Sequence, residues 1–273
     1  LLCFSPLPAQ ASVLGERIDG YDAVMGGNVR LSRGVYWTGN DYRTENYLTY
    51  SGERNVFPVV VYGSKVLNYG DFPSMAALLE QRGYTVLGGI NGDYYHTANF
   101  QPLGIVVSQG RLLSSDGGHW AIGFRADGSA VISKPALYMT LNIAGADYGL
   151  GAVNKARGSE HFALFTEDHS YTTQAKTMGR NAVLSIAEGG ELTTSCRLTL
   201  RVEEIIATDQ PLELKPGQLI LSLDSAAPAA RQAGMDALYP GAALTLSISC
   251  APGWEQVEYA VGCLYKLLSN GQA

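Results

Sequence analysis

Asn91, Gly92, Asp93, Tyr94, Tyr95 and His96 form one unbroken run, "NGDYYH", directly behind the apolar "YTVLGGI". An amide, a carboxylate, two phenols and an imidazole within six positions can do a good deal of chemistry. The Asn91 side chain offers a donor and an acceptor, which suits a sugar hydroxyl or a phosphate oxygen. Asp93 can serve as a general acid or base, as an electrostatic stabiliser of a positive sugar centre, or as a ligand for a cation. On an extended chain the two side chains face the same side, and Gly92 between them lets backbone or ligand approach closely. Tyr94 and Tyr95 then alternate, one toward a core and one available as a platform for a sugar ring. His96 can titrate near neutral pH. The competing reading is an Asx-type turn, with Asn91 and Asp93 bonded to their own backbone. Pro102 and Gly104 read as backbone shapers that aim the following strand.

A second group lies in "AVNKARG". Asn154 and Arg157 can present an amide and a guanidinium to a phosphate, and Arg is suited to bidentate phosphate contact; a surface turn is the alternative. Thr172 and Thr173 add hydroxyls in a loop. Asp116, in "SSDGGHW", reads as part of a glycine-rich turn, and His119 lies close enough in sequence to approach the same cleft. Other chemistries lack their signatures. No Gly-x-Ser-x-Gly elbow and no Gly-x-x-x-x-Gly-Lys phosphate loop is present. The acidic residues do not fall into a calcium-loop spacing and the cysteines show no zinc spacing, so no metal site is assigned.

The elements that must hold these residues are mostly strands. "FPVVVYGSKVL" predicts a strand over Val59 to Tyr62, and "YTVLGGI" predicts another. Between them "DFPSMAALLEQRGY" predicts a helix, with Ser74 as N-cap, Met75, Leu78 and Leu79 as its apolar stripe and Gly83 as its stop. "LGIVVSQGRLLSS" and "WAIGFRADGSAVIS" predict two hairpins, the second turning at Asp127-Gly128. From Ala136 onward strand candidates follow one another, interrupted by a helix-compatible stretch from Ser225 to Gly241. Residues 20 to 57 are polar and predict an irregular or hairpin entry. The class is therefore α+β, mostly antiparallel β-sheet with a few helices.

The 273 residues are 46% hydrophobic and 16% charged, a globular composition. With 19 basic against 25 acidic residues and no cationic cluster, nucleic acid and anionic membrane are poor partners. No apolar run is long enough to span a bilayer. The opening "LLCFSPLPAQASVLG" resembles the tail of a secretory signal peptide with an Ala9-Gln10-Ala11 cleavage site, which places the mature start near Ser12; a short apolar arm packed on the domain is the alternative. Cys196 and Cys250 lie in alternating segments; they either form a cross-strand disulfide or remain, with Cys263, as buried free thiols. The last residues, "LLSNGQA", stop just after an Asn270-Gly271 hairpin signal, so the segment is expected to continue into a strand.

In its order of segments the chain resembles the phosphodiester glycosidase family. The segments are "GGINGDYY", "PLGIVVSQGRLLSS", "AIGFRADGSA", "AVNKARGSEHFALFTEDHSYTT", "LDSAAPAARQAGMDALYPGAALTL" and "WEQVEYAVGCLYKLLSNG". Their shared order over roughly 200 residues outweighs any one of them. The resemblance implies a signal remnant at 1–11, an N-terminal polar segment at 12–57 and a glycosidase-like domain at 58–273. It implies an exported, bacterial-type hydrolase acting on a sugar-1-phosphodiester, N-acetylglucosamine-like, in an envelope or extracellular glycopolymer. Asp93 would be catalytic, with Asn91, Gly92, Tyr94, Tyr95, His96, Asn154 and Arg157 binding substrate. No cofactor is implied, although a divalent cation at Asp93 is compatible with a phosphodiester. The family continues with an Arg-Thr strand and an Asp-Gly-Gly-Gly-Ser loop that these residues do not include, and "GCLYKLL" replaces its Gly-Gly-x-Pro stretch. The resemblance therefore implies half a site and little turnover by residues 12 to 273 alone. The alternative in another class is a non-catalytic envelope module that binds glycan in the same cleft. Oligomeric state is open.

Overall fold

The computed structural model describes residues 15–50, 55–68, 70–263 and 265. The expected leader at 1–11, Cys3 and the Asn270-Gly271 turn lie outside the described residues. Two compact units divide the chain: 1–57 with 82–90, and 58–81 with 91–273.

The first unit contains three antiparallel strands, β1 (Glu16–Gly26), β2 (Val29–Trp37) and β3 (Tyr42–Tyr50), paired in that order. Of the irregular or hairpin entry expected there, the hairpin form holds, extended to a three-stranded meander. Its turns are short, and Thr38 N–H closes the second on the Asp41 carbonyl at 3.0 Å. "YTVLGGI" is not the expected strand: residues 84–92 join no ladder among the described residues. An apolar run becomes a strand only where a neighbour offers a free edge, and two adjacent glycines weaken it further.

The second unit begins with residues 58–68, which likewise join no strand ladder among the described residues. Val60 and Tyr62 pack against buried Val66, Val106 and Leu113 instead of joining a sheet. α1 (Phe72–Gln81) follows. Its cap is Asp71, whose Oδ1 accepts from Ser74 N–H at 2.9 Å, so the expected N-cap at Ser74 moves three residues upstream. Gly83, at φ +88°, terminates it as expected.

Then come β4 (Val106–Ser108), β5 (Arg111–Ser114), β6 (Trp120–Arg125), β7 (Ala130–Ser133), β8 (Tyr138–Ile143), β9 (Ala146–Val153), β10 (Phe162–Thr166), β11 (Gly179–Glu188), β12 (Cys196–Thr208) and β13 (Leu219–Asp224). α2 (Ala229–Asp236), β14 (Ala243–Ser249) and β15 (Val257–Cys263) complete the described chain. Seven strands close a barrel in the order β10-β13-β11-β12-β14-β8-β9. All its pairs are antiparallel except β9 with β10, the parallel seam that closes it. The remaining five form a sheet, β5-β4-β15-β6-β7, in which β15 is inserted between the two predicted hairpins. The expectation of a mainly antiparallel β fold with a few helices is met.

Alternation explains the core. Leu141 and Ile143, Phe162 and Leu164, Leu198, Leu200 and Val202, and Leu219, Leu221 and Leu223 all point inward at every second position. The same cluster runs on through Ile105, Val107, Ala121, Trp254 and Ala260, so barrel and five-stranded sheet share one interior. The three described cysteines are free and half-buried. Cys196 lies opposite Ile248, and Cys250 falls beyond the end of β14, so the two are not cross-strand partners. Among the described residues no helix is long and apolar enough to cross a membrane.

Candidate functional site

Residues 91–104 form a short irregular hairpin in front of β4. Tyr95 bridges to Pro102, His96 N–H donates to the Gln101 carbonyl at 2.9 Å, and Leu103 N–H donates to the Tyr94 carbonyl at 2.9 Å. At its base Asp93 is gripped by backbone. Its Oδ1 accepts from Tyr94 N–H at 2.7 Å and its Oδ2 from Gly104 N–H. Two glycines make this approach possible. A methyl group on Gly104 would lie 2.7 Å from Asp93 Oδ2 and 2.8 Å from the Gly262 Cα. One on Gly262 of β15 would lie 2.8 Å from the Gly104 Cα and closer still to Asp93 Oδ2. Gly92 packs similarly, with Val261 Cγ2 2.7 Å from where its Cβ would be.

Lys155, just past the end of β9, reaches this corner. Its Nζ donates to the carbonyls of Pro102 at 2.8 Å, Leu103 at 3.1 Å and Gly104 at 3.2 Å. Burial pulls its ammonium down to about 8, against the opposing effect of the Asp93 and Asp116 carboxylates. Asp116 belongs to the β5–β6 loop, which Ser115 ties to Val153 through N–H and hydroxyl contacts. Burial pushes the Asp116 carboxyl up, while backbone hydrogen bonds from Leu137 and Gly118 pull it the other way. In the same loop His119 flanks Gly117, whose Cβ position is 2.6 Å from the Leu103 carbonyl oxygen. Near Asp93, burial and then the carboxylate itself push the Cys263 thiol up. The corner therefore joins two carboxylates, one internally bonded ammonium and glycine-lined backbone. Among the described residues no group of three or more His, Cys, Asp or Glu could hold a metal ion.

The aromatic residues stand outside it. Tyr94 is 63% exposed and Tyr95 47%, so neither is the core residue that strand alternation predicts. The chain turns at Asp93 instead of continuing as a strand. Tyr95 and Phe100, also exposed, lie with ring centroids 5.9 Å apart at 34°. Phe100 has φ +59°, a left-handed conformation uncommon for a bulky residue. Asn91 and His96 are exposed, and neither side chain makes a hydrogen bond among the described residues.

Asn154 and Arg157 are spent elsewhere. The Asn154 side chain is fully buried; its Nδ2 donates to the Leu113 carbonyl and the Thr166 hydroxyl, both at 2.8 Å, and its Oδ1 accepts from Thr166 N–H. Arg157 has a side chain only 2% exposed and paired with Asp224 at 3.1 Å. It also donates to Ser222 Oγ and to the carbonyl and hydroxyl of Thr177. Neither residue has an accessible donor to offer a phosphate, since the one unbonded donor, Arg157 Nε, is buried, and the surface-turn alternative fails as well. The polarity of "NKAR" serves three inward directions: core, hairpin and barrel wall. Thr173 is buried, and its hydroxyl accepts from Leu212 N–H at 3.1 Å. Thr172 bridges to Glu213.

Two residues of the corner escape sequence reasoning. Lys155 has the default look of a surface lysine. Gln101, buried, accepts from Ala156 N–H at 2.6 Å and so ties the hairpin to the Lys155 segment; nothing in its context marks it.

No family model matches the chain, and no curated protein matches it. Among solved structures, the crystal structure of a hypothetical protein from Synechocystis is similar, with TM-score 0.62 and 15% sequence identity over 90% of this chain and 44% of that one. The chain thus spans less than half of that protein's length, and the likeness is one of fold. None of these comparisons bears on the expected resemblance to phosphodiester glycosidases.

Proposed function

We propose that the Asp93 corner is one wall of the active site of an exported phosphodiester glycosidase. The substrate is a sugar-1-phosphodiester, N-acetylglucosamine-like, in an envelope or extracellular glycopolymer. The observation that carries this reading is the Asp93 carboxylate, fixed by two backbone N–H groups beside exposed tyrosines. Phosphate is already a good leaving group, so the difficult part of the reaction is the positive charge that develops on the sugar. A preorganised carboxylate stabilises that charge, and two carboxylates with one ammonium leave the corner suited to a cationic centre rather than to the phosphate. Exposed Asn91 can hold a sugar hydroxyl, and Tyr94 or Tyr95 can cover a pyranose face.

The exposed rings of Tyr95 and Phe100 favour a second reading, a glycan-binding module without turnover. Sugar release from an N-acetylglucosamine-1-phosphodiester separates the two. The glycosidase reading predicts release by the parent, a fall in kcat of about 100-fold or more in Asp93→Asn, and a weaker effect in Asn91→Ala. Saturable binding of the same compound without release would support the module.

A further inference from the structure

We infer that Lys155 is a positioning residue of the Asp93 corner: it holds the Pro102–Gly104 segment in the one arrangement that aims the Gly104 N–H at the Asp93 carboxylate. The inference rests on the proposed reaction only for its effect on turnover.

Three consecutive carbonyls, those of Pro102, Leu103 and Gly104, converge on a single Nζ. In an extended chain successive carbonyls point to opposite sides. A segment that turns three of them to one point brings three partial negative charges together and needs a cation at the focus. An ammonium has three donors and the segment supplies three acceptors, so the match is complete. A planar guanidinium cannot direct three N–H groups at one such focus, so lysine is required rather than positive charge alone. The segment so bent carries the Gly104 N–H that donates to Asp93 Oδ2. Its neighbour Gln101 is bonded to Ala156, next to Lys155, so hairpin and lysine move together.

The charged and titratable groups facing the ammonium are Asp93 from the hairpin and Asp116 from the β5–β6 loop, with His119 further along that loop and Cys263 of β15 beside Asp93. Burial lowers the ammonium to about 8, so mild alkali takes away one donor and the counter-charge together. The hold on Asp93 should then loosen in the folded protein.

The test is an NMR pH titration of the Gly104 amide, with the Asp93 carboxyl ¹³C shift read at a single neutral pH, in the parent, Lys155→Met and Lys155→Arg. In the parent, the Gly104 amide should shift through a transition near the Lys155 value of about 8. In Lys155→Met that transition should vanish, and the Asp93 carboxyl ¹³C shift should move from its position in the parent. Lys155→Arg, which keeps the charge but not the geometry, should bring the Asp93 carboxyl shift back only in part and leave the Gly104 amide displaced. Unchanged barrel amides such as those of Leu164 and Leu221 report that a variant is folded. If neither variant folds, the parent titration decides: a Gly104 amide that ignores Lys155 deprotonation overturns the inference. So do unchanged Gly104 and Asp93 signals in a folded Lys155→Met. Where the parent turns over an N-acetylglucosamine-1-phosphodiester, Lys155→Met should lose about 100-fold in kcat with KM little changed. Absence of turnover in the parent counts against the glycosidase reading and leaves the NMR result to decide the role of Lys155.

Discussion

The Asp93 carboxylate lies against the bare Cα of Gly262, with Gly104 closing the third side, and there is no room among them for a single added methyl group. Gly262→Ala should therefore push the carboxylate off the Gly104 N–H as well as strain β15. Overpacking of this kind costs about 1–3 kcal/mol. A urea titration would give the stability loss, and the Gly104 amide shift would show the displaced carboxylate. Gly118→Ala, whose side chain would enter open space, serves as the contrast, although its φ of +77° carries a strain of its own.

Arg157 should prove structural. Its guanidinium is paired with Asp224 and bonded to Ser222 and Thr177, so Arg157→Ala strands a mostly buried carboxylate. Breaking such a pair costs about 3–5 kcal/mol, visible as a fall of roughly 10 °C in Tm at this size. A phosphate-binding surface arginine would behave oppositely, with stability unchanged within about 0.5 kcal/mol and the effect confined to KM.

His169 should make the fold acid-sensitive. It is 1% exposed, its ring lies tilted at 55° to that of Phe165 with centroids 5.0 Å apart, and neither ring nitrogen has a hydrogen-bond partner among the described residues. Burial pushes its imidazole down from 6.5 to about 4. The unfolded chain therefore takes up the proton first as pH falls. The stability from the neutral buried ring is complete above pH 6.5 and is lost progressively toward pH 4. By about pH 5 the loss is on the order of 2 kcal/mol. Urea titrations at about pH 7 and pH 5 would measure it, and His169→Phe should flatten the difference. A parent as stable at the lower pH as at the higher would contradict the assignment.

Local signals carried much of the fold. The Asp127-Gly128 turn, the glycine stop of α1 and the alternation of Leu198, Leu200 and Val202 are all properties of a few adjacent residues, and each appears where it was expected. What sequence could not carry is long-range. The insertion of β15 between β4 and β6 and the parallel β9–β10 seam each depend on partners far along the chain. "FPVVV" and "YTVLGGI" have strand composition but no ladder, because composition does not supply an edge to pair with. The site divides in the same way. Asp93 and Asn91 were marked by their residue types, whereas Asn154 and Arg157 have types that suit a ligand and partners that consume them. Lys155 and Gln101 act through backbone that only the folded hairpin brings near.

On the proposed function, the Asp93 corner serves cleavage between the sugar C1 and the bridging oxygen. In that step the bridging electron pair leaves with the phosphate, water adds its oxygen to C1, and its spare proton passes to solvent. Hydrolysis of an N-acetylglucosamine-1-phosphodiester in ¹⁸O-water, read by mass spectrometry of the sugar and by ³¹P NMR of the phosphate, follows that oxygen directly. The expected result is ¹⁸O in the released sugar, none in the phosphate, and loss of the reaction in a folded Asp93→Asn variant. Label in the phosphate, or unimpaired release by that variant, would contradict it.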